Sequence, residues 1–222
     1  MRYLKADDPL GWFEELYSKA GEDLSIIPWA DLKPNPNLTA WLDRDLLEPL
    51  DKTALVIGCG LGDDAEELAK RGFKTTAFDI SQTAILWCQR RFPSSSVSYR
   101  EADLFQSPEA WQNGFDFVLE SYTLQVLPPE TRHTAIRHIA SFVAQNGTLL
   151  IIARGRDTND PKGSMPWPLT KMEMESLSFL NLYEVCFEDY MDGEEPKVRR
   201  FRGTYRKNDK TAAGSSVRSV NV

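Results

Sequence analysis

Leu55-Val56-Ile57-Gly58-Cys59-Gly60-Leu61-Gly62-Asp63-Asp64 is the stretch that decides the fold of this chain. Residues 53–57 are a continuous apolar run that stops at glycines, the pattern of a strand buried on both faces of a parallel sheet. The stretch that follows, 63–71, carries Ala65, Leu68 and Ala69 at helical spacing, and Gly72 terminates it. A strand therefore runs through a glycine turn into a helix. Glycine lets backbone and ligand approach where a Cβ would block them. The helix start adds free N–H groups and the positive end of its dipole. The plain alternative is a tight turn with no ligand.

Outward from this turn the alternation continues. Residues 73–78 read as the next strand, stopped by Asp79, and Ser81 caps a helix that reaches Arg91. Short strands follow at 97–100 and 115–119. Pro128-Pro129-Glu130 opens a helix with Ile136, Ile139, Ala140 and Val143 at helical spacing, ended by Asn146-Gly147. Residues 148–153 form the most apolar strand. Five strands alternating with helices predict an α/β, Rossmann-like, doubly wound parallel sheet with right-handed crossovers. After a Pro-rich loop the spacing predicts one helix over 170–180. Residues 183–190 and 197–206 then alternate around a turn, an antiparallel hairpin added to the sheet. Upstream, a helix opened by Asp8-Pro9 sets Trp12, Phe13, Leu16 and Tyr17 on one face, and a second spans 38–47 with Asn37 as its cap. Three parts result: a helical leader over 1–50 that packs on the core or lids a cleft, a sheet domain over 51–206, and a tail over 207–222 whose composition predicts disorder.

The 222 residues suit one domain that can bury about 70 % of the surface its unfolded chain exposes. The balance of 26 Lys plus Arg against 33 Asp plus Glu gives a net charge of −7, which disfavours nucleic acid as a partner. No apolar run reaches a membrane span, and residues 1–8 lack a signal core, so a cytoplasmic chain is expected. Three scattered cysteines fit a reducing compartment; Cys59, Cys88 and Cys186 read as packing positions. His133 and His138 are separated by about 140° of helix, and no metal site is expected.

Asp79 ends the second strand, 21 residues after Gly58. A carboxylate there can accept both hydroxyls of a ribose, so turn and Asp79 together point to an adenosine-containing cofactor. A dinucleotide turn wants its third glycine one residue later, and Asp63 in front of the helix would repel a pyrophosphate. An acidic turn suits S-adenosylmethionine, which carries an ammonium and a sulfonium. The chain here resembles the class I S-adenosylmethionine-dependent methyltransferases, over roughly 38–206. That resemblance implies a seven-stranded sheet, mostly parallel, in which the C-terminal hairpin supplies a reversed strand. Val56 replaces the acidic residue many members carry two positions before the first glycine, leaving Asp63 or Asp64 for the cofactor's amino group. Val56, Trp29 in an Ile-Pro-Trp segment, and Gly163-Ser164-Met165-Pro166-Trp167-Pro168 resemble the thiopurine and thiol/halide methyltransferase branch.

The resemblance implies roles residue by residue. Gly58, Gly60 and Gly62 line the methionine part, with Cys59 a small residue inside the turn. Asp79 holds the ribose, with Ile80 beside it; Asp103 meets the adenine amino group and Leu104 the ring. Trp29 lids the cofactor, and Trp12 reads first as core. Glu120-Ser121-Tyr122 face the reacting methyl, so Glu120 and Tyr122 are catalytic candidates, and Glu120 also lines the cofactor. Methyl transfer from a sulfonium is an in-line displacement, for which orientation and water exclusion supply most of the catalysis. A thiolate acceptor needs no strong base but gains from a nearby cation, and Arg154, with Arg156 behind it, is the candidate. An oxygen or nitrogen acceptor would want a base, Glu120 or His133. Tyr122, His133, Arg154 and Trp167 are thus the expected acceptor contacts. The expectation is a small-molecule methyltransferase acting on a thiol or other soft nucleophile, as a monomer or weak dimer without a membrane partner. The alternatives are an O- or N-methyltransferase and, from another class, a nicotinamide-dependent oxidoreductase.

Overall fold

The apolar run at 53–57 forms a strand with neighbours on both sides, because neither of its faces can be left in water. The computed structural model describes residues 10–21, 23–45 and 49–208. In chain order the strands are β1 Thr53–Ile57, β2 Lys74–Asp79, β3 Ser98–Glu101, β4 Phe115–Ser121, β5 Val143–Arg154, β6 Leu182–Met191 and β7 Arg199–Lys207. They make one sheet in the order β3-β2-β1-β4-β5-β7-β6. β1 pairs in parallel with β2 and β4, and β7 runs antiparallel to both β5 and β6. The chain reverses its direction of travel across the sheet between β1 and β4. Open α/β sheets bind ligands at that switch point, beyond the carboxyl ends of the strands.

The helices are α1 Gly11–Ala20, α2 Pro36–Arg44, α3 Asp63–Lys70, α4 Gln82–Arg91, α5 Arg132–Phe142 and α6 Lys171–Glu175. Ser81 caps α4 as its sequence predicts, accepting from the Ala84 N–H at 3.1 Å. One face of the sheet is covered by Leu38, Trp41 and Leu42 of α2, Ala65 and Leu68 of α3, and α4. The other is covered by α5 and α6. Each fully buried Leu contributes about 2 kcal/mol. Leu38, fully buried, together with the bond from Trp41 Nε1 to Thr204 Oγ1 at 2.9 Å, therefore makes α2 a structural part of the sheet domain. Only α1 and the segment to Trp29 remain as a separate cover.

Several expectations shift. Asn35, not Asn37, caps α2: its side chain accepts from the Asn37 N–H at 2.9 Å, and Pro36, lacking an N–H, fills the first turn. α5 ends at Phe142, before Asn146-Gly147, because Val143 pairs with Phe115 and a bulge carries the chain to Thr148. The helix expected over 170–180 is α6 followed by a 3-10 turn through Leu180, closed by left-handed Asn181. Cys186 is exposed rather than core, since β6 is the sheet's last strand and nothing described covers it. Lys207 belongs to β7, its ammonium donating to the carbonyls of Ala140 and Val143. The rest of the expected tail, 209–222, lies outside the described residues, as do Leu46 and the start of the leader. No helix among the described residues is long and apolar enough to cross a membrane.

Candidate active site

The turn between β1 and α3 is left-handed at three glycines, with φ of 59° at Gly58, 55° at Gly60 and 91° at Gly62. All three are also places of close approach, and a Cβ on Gly58 would run into Thr123 Oγ1. A Cβ on Gly62 would lie 2.6 Å from the Tyr99 hydroxyl, and one on Gly60 3.2 Å from the Tyr17 hydroxyl. Cys59 is buried between them, and its hydrogen bond with the neighbouring Cys88 thiol, together with burial, pushes its own thiol up.

Asp79 is buried across this turn. Its Oδ2 accepts from the Gly60 N–H at 3.0 Å and its Oδ1 from the Ser81 N–H at 2.9 Å. Burial pushes its pKa up to about 6 against these bonds. Each carboxylate oxygen has lone pairs beyond the one so used, the capacity a vicinal diol needs. Ile80 is half-buried next to it, and the Ala102 N–H donates to the Asp79 carbonyl, which brings the segment after β3 alongside. There Asp103 caps a short turn, accepting from the Phe105 N–H at 2.8 Å and from Gln106 Nε2 at 3.1 Å, and Leu104 is buried beneath.

The two acids at the start of α3 separate. Asp63 is held by both terminal nitrogens of Arg91, at 2.7 and 2.8 Å, so of the two candidates for the cofactor's amino group it is the one already paired with a cation. Asp64 instead accepts from the Asn35 N–H at 2.7 Å, beside Ser121, and burial raises its pKa to about 6. An ammonium placed there would offset that burial cost.

A cover of aromatic residues lies over Gly60. Trp29 Nε1 donates to the Tyr17 hydroxyl at 2.8 Å, and Trp12 meets Trp29 edge-on at 5.9 Å. Glu14 locks α1 to the start of α4, accepting from Ser81 Oγ at 2.6 Å and from the Thr83 N–H at 3.1 Å. Burial alone would raise the Glu14 pKa; these bonds hold it at about 2. Tyr17 and Glu14 were not singled out from the sequence for this role. The helical face of Tyr17 was visible there, but the contact of Glu14 with Thr83, 69 residues on, had no local signal.

Beyond β4 the chain makes a second sharp turn. Tyr122 is left-handed, with φ of 66°, an uncommon state for an aromatic residue that re-aims its ring. Its hydroxyl accepts from Asn37 Nδ2 at 3.0 Å, and the Arg200 guanidinium stands 4.8 Å from its ring. Arg154 lies directly opposite Arg200 across the β5–β7 ladder, so both side chains share one face. Arg200 is paired with Asp192 at 2.6 Å and with Glu194. Arg154 is half-buried with its Nε enclosed and without a partner among the described residues.

Three further expected residues lie elsewhere. Glu120 does not face the open crevice: β4 continues to Ser121, so period-two alternation turns Glu120 into the α5 face, fully buried. Its Oε1 accepts from the Leu124 N–H at 2.8 Å, its Oε2 has no partner among the described residues, and burial pushes its pKa up to about 7. This corrects its roles as catalytic base and cofactor contact. His133 is exposed at the start of α5. Trp167 is half-buried; its N–H donates to the Gln125 carbonyl at 2.7 Å, and it borders a cavity of about 320 Å³ with Pro129, Arg132 and Arg156. No metal-binding cluster of His, Cys, Asp or Glu is present among the described residues.

Residues 54–147 match the family described as a methyltransferase domain. An uncharacterized methyltransferase of Mycobacterium tuberculosis is 31 % identical over 126 residues, and the match spans 56 % of this chain and 60 % of that relative's length. A thiopurine S-methyltransferase of Aliivibrio fischeri is 26 % identical over 180 residues, 75 % of this chain and 83 % of that one. Among solved structures, the 1,6-didemethyltoxoflavin-N1-methyltransferase of Burkholderia thailandensis superposes with a TM-score of 0.69 at 18 % identity, covering 89 % of this chain and 88 % of that one. The chain thus resembles the class I S-adenosylmethionine-dependent methyltransferases and, in sequence, their thiopurine branch. The matched residues 54–147 contain the glycine turn, Asp79, Asp103 and Tyr122, and Arg154, Trp167 and Arg200 lie beyond them.

Proposed function

We propose that the chain is an S-adenosylmethionine-dependent methyltransferase whose acceptor is a small-molecule thiol. The observation that carries the reading is Asp79, bonded to the Gly60 N–H at the carboxyl end of β2, beneath Trp29 and Tyr17. The residues fit the donor: a cradle that a Cβ at Gly60 would crowd, a diol-accepting carboxylate, and Asp64 for the ammonium. Bound there, the cofactor supplies an already activated methyl group. The protein's part is to orient and to exclude water. Asp79 and Asp103 fix the adenosine end, with Ile80 and Leu104 against it. Trp29 and Tyr17 close over the methionine part. Tyr122, re-aimed by its backbone, forms the wall toward the acceptor.

The thiol follows from what stands at the acceptor side. Arg154 offers a positive charge without an internal counter-ion among the described residues, which favours an ionised sulfur. Glu120 is enclosed and His133 faces outward, so neither base candidate meets that cluster. A soft anion needs no base. The reading carries with it a single small-molecule acceptor, no nucleic acid or membrane partner, and a monomer or weak dimer working in the cytoplasm. Within the leader over 1–50, α2 packs on the sheet and α1 with the segment to Trp29 serves as the lid. Calorimetry with S-adenosylhomocysteine tests the cofactor assignment. Binding is expected on the order of tens of micromolar or tighter, near −6 kcal/mol, and no heat at that concentration removes the reading.

A further inference from the structure

Resting on the methyl-transfer reading, we propose that Arg132 is a positioning residue that fixes the loop carrying Trp167 against the turn carrying Tyr122. Its guanidinium is buried and reaches three segments at once. Nε donates to the Leu124 carbonyl at 2.9 Å, one terminal nitrogen to the Trp167 carbonyl at 2.7 Å, and the other to Glu173 Oε1 at 2.9 Å. The Leu124 N–H is held from the other side by Glu120 at 2.8 Å. One residue of the turn after Tyr122 is therefore clasped between a buried carboxylate and a buried guanidinium. The unpartnered Oε2 of Glu120 belongs to this clasp and not to the open crevice.

The far end of the strap is anchored as well. Glu173 Oε2 accepts from the Thr170 N–H at 2.7 Å and from Thr170 Oγ1 at 2.9 Å, closing the capping box of α6. A parallel tie runs through Gln125, whose carbonyl accepts from the Trp167 N–H and whose Oε1 accepts from the Arg154 N–H at 2.8 Å. Trp167, Arg154 and the turn after Tyr122 thus share one hydrogen-bonded set. Arg132 belongs to it through backbone carbonyls, and its side chain acts on the acceptor only by placing those residues. A planar fork with fixed donor directions can satisfy three acceptors in this way; a lysine ammonium on a flexible stem cannot hold all three in register.

Arg132→Lys is expected to raise the acceptor KM about tenfold while S-adenosylhomocysteine affinity stays within about twofold, because the change loosens only the acceptor side. Tryptic cleavage after Lys162, in the same loop, is expected to speed up about fivefold as the loop opens more often. Unchanged KM and cleavage overturn the proposal, as does a loss of cofactor affinity in step with KM. Where Arg132→Lys does not fold, Glu173→Gln serves, since it weakens the ion pair and leaves both carbonyl bonds. It is expected to give the same pattern at about a third of the size, and a flat response overturns the proposal. A wild-type chain that moves no methyl group refutes the functional reading, and the cleavage comparison then still decides the strap.

Discussion

The two sides of the crevice between β1 and β4 satisfy their charges differently. On the β1–β2 side every acid has a partner: Asp79 holds Gly60 and Ser81, Asp63 holds Arg91, and Glu14 holds Ser81 and Thr83. On the β4–β5 side the Arg154 Nε is enclosed without a partner among the described residues, and behind the crevice wall the buried Glu120 keeps its Oε2 likewise unanswered. The first side is preorganised by its own backbone, so its ligand finds acceptors already aimed. The second carries unpaired charge that costs stability until something answers it. On the proposed reading, such a site holds its donor firmly and leaves an anionic acceptor to answer Arg154.

Three substitutions test that contrast. Asp79→Ala has the largest expected effect. It removes the acceptor of two backbone N–H groups and of the ribose diol, so S-adenosylhomocysteine affinity should fall about 100-fold, near 3 kcal/mol, by calorimetry. A change under threefold breaks the cofactor side of the comparison.

Glu120→Gln comes next and has a definite sign. Burial raises the carboxyl's pKa from 4.5 to about 7 in the folded protein. Between those values the folded state binds the proton that the unfolded state has lost, so this group lowers stability as pH rises through that window and the loss is complete above the folded pKa. Glutamine cannot ionise. Relative to wild type, Glu120→Gln should therefore be more stable at pH 8 than at pH 5, by on the order of 2 kcal/mol in denaturant unfolding. A pH-independent difference contradicts the burial cost.

The smallest effect is expected from Arg154→Met, which keeps the stem and removes the charge. kcat/KM for a thiol at neutral pH should drop about tenfold, the pH profile should move up by about one unit, and cofactor affinity should stay put. A fall in kcat/KM without the profile shift would leave Arg154 as a packing residue.

What was legible in the chain divides along the same line as the site. The glycine turn, Asp79 and the Ser81 cap lie within one β–α–β stretch, where spacing and residue type determine geometry locally. The sheet order with its reversed β7 also follows from the hairpin pattern and the family resemblance. The acceptor side is assembled from distant pieces. Asn37 meets Tyr190 across 153 residues, and Arg132 meets Glu173 across 41. No local pattern announces such pairs. Glu120 is a case where a signal existed: Phe115-Asp116-Phe117-Val118-Leu119 read on to Ser121 keeps strand alternation and turns Glu120 inward beside Val118. Asp63 and Asp64 adjoin in sequence, and only the position of Arg91 one helix away separates their roles. Cys186 sits in an alternating strand that reads as half-buried, and its exposure follows from β6 being the sheet's last strand.

The most direct measurement is transfer of a labelled methyl group from S-adenosylmethionine to a panel of thiols, halides, phenols and amines. The account predicts labelled thioether from at least one small thiol, with transfer to phenols and amines at least about 100-fold slower, since neither candidate base, buried Glu120 nor exposed His133, is placed to ionise them. Cofactor binding together with faster transfer to an amine or phenol than to any thiol would contradict it.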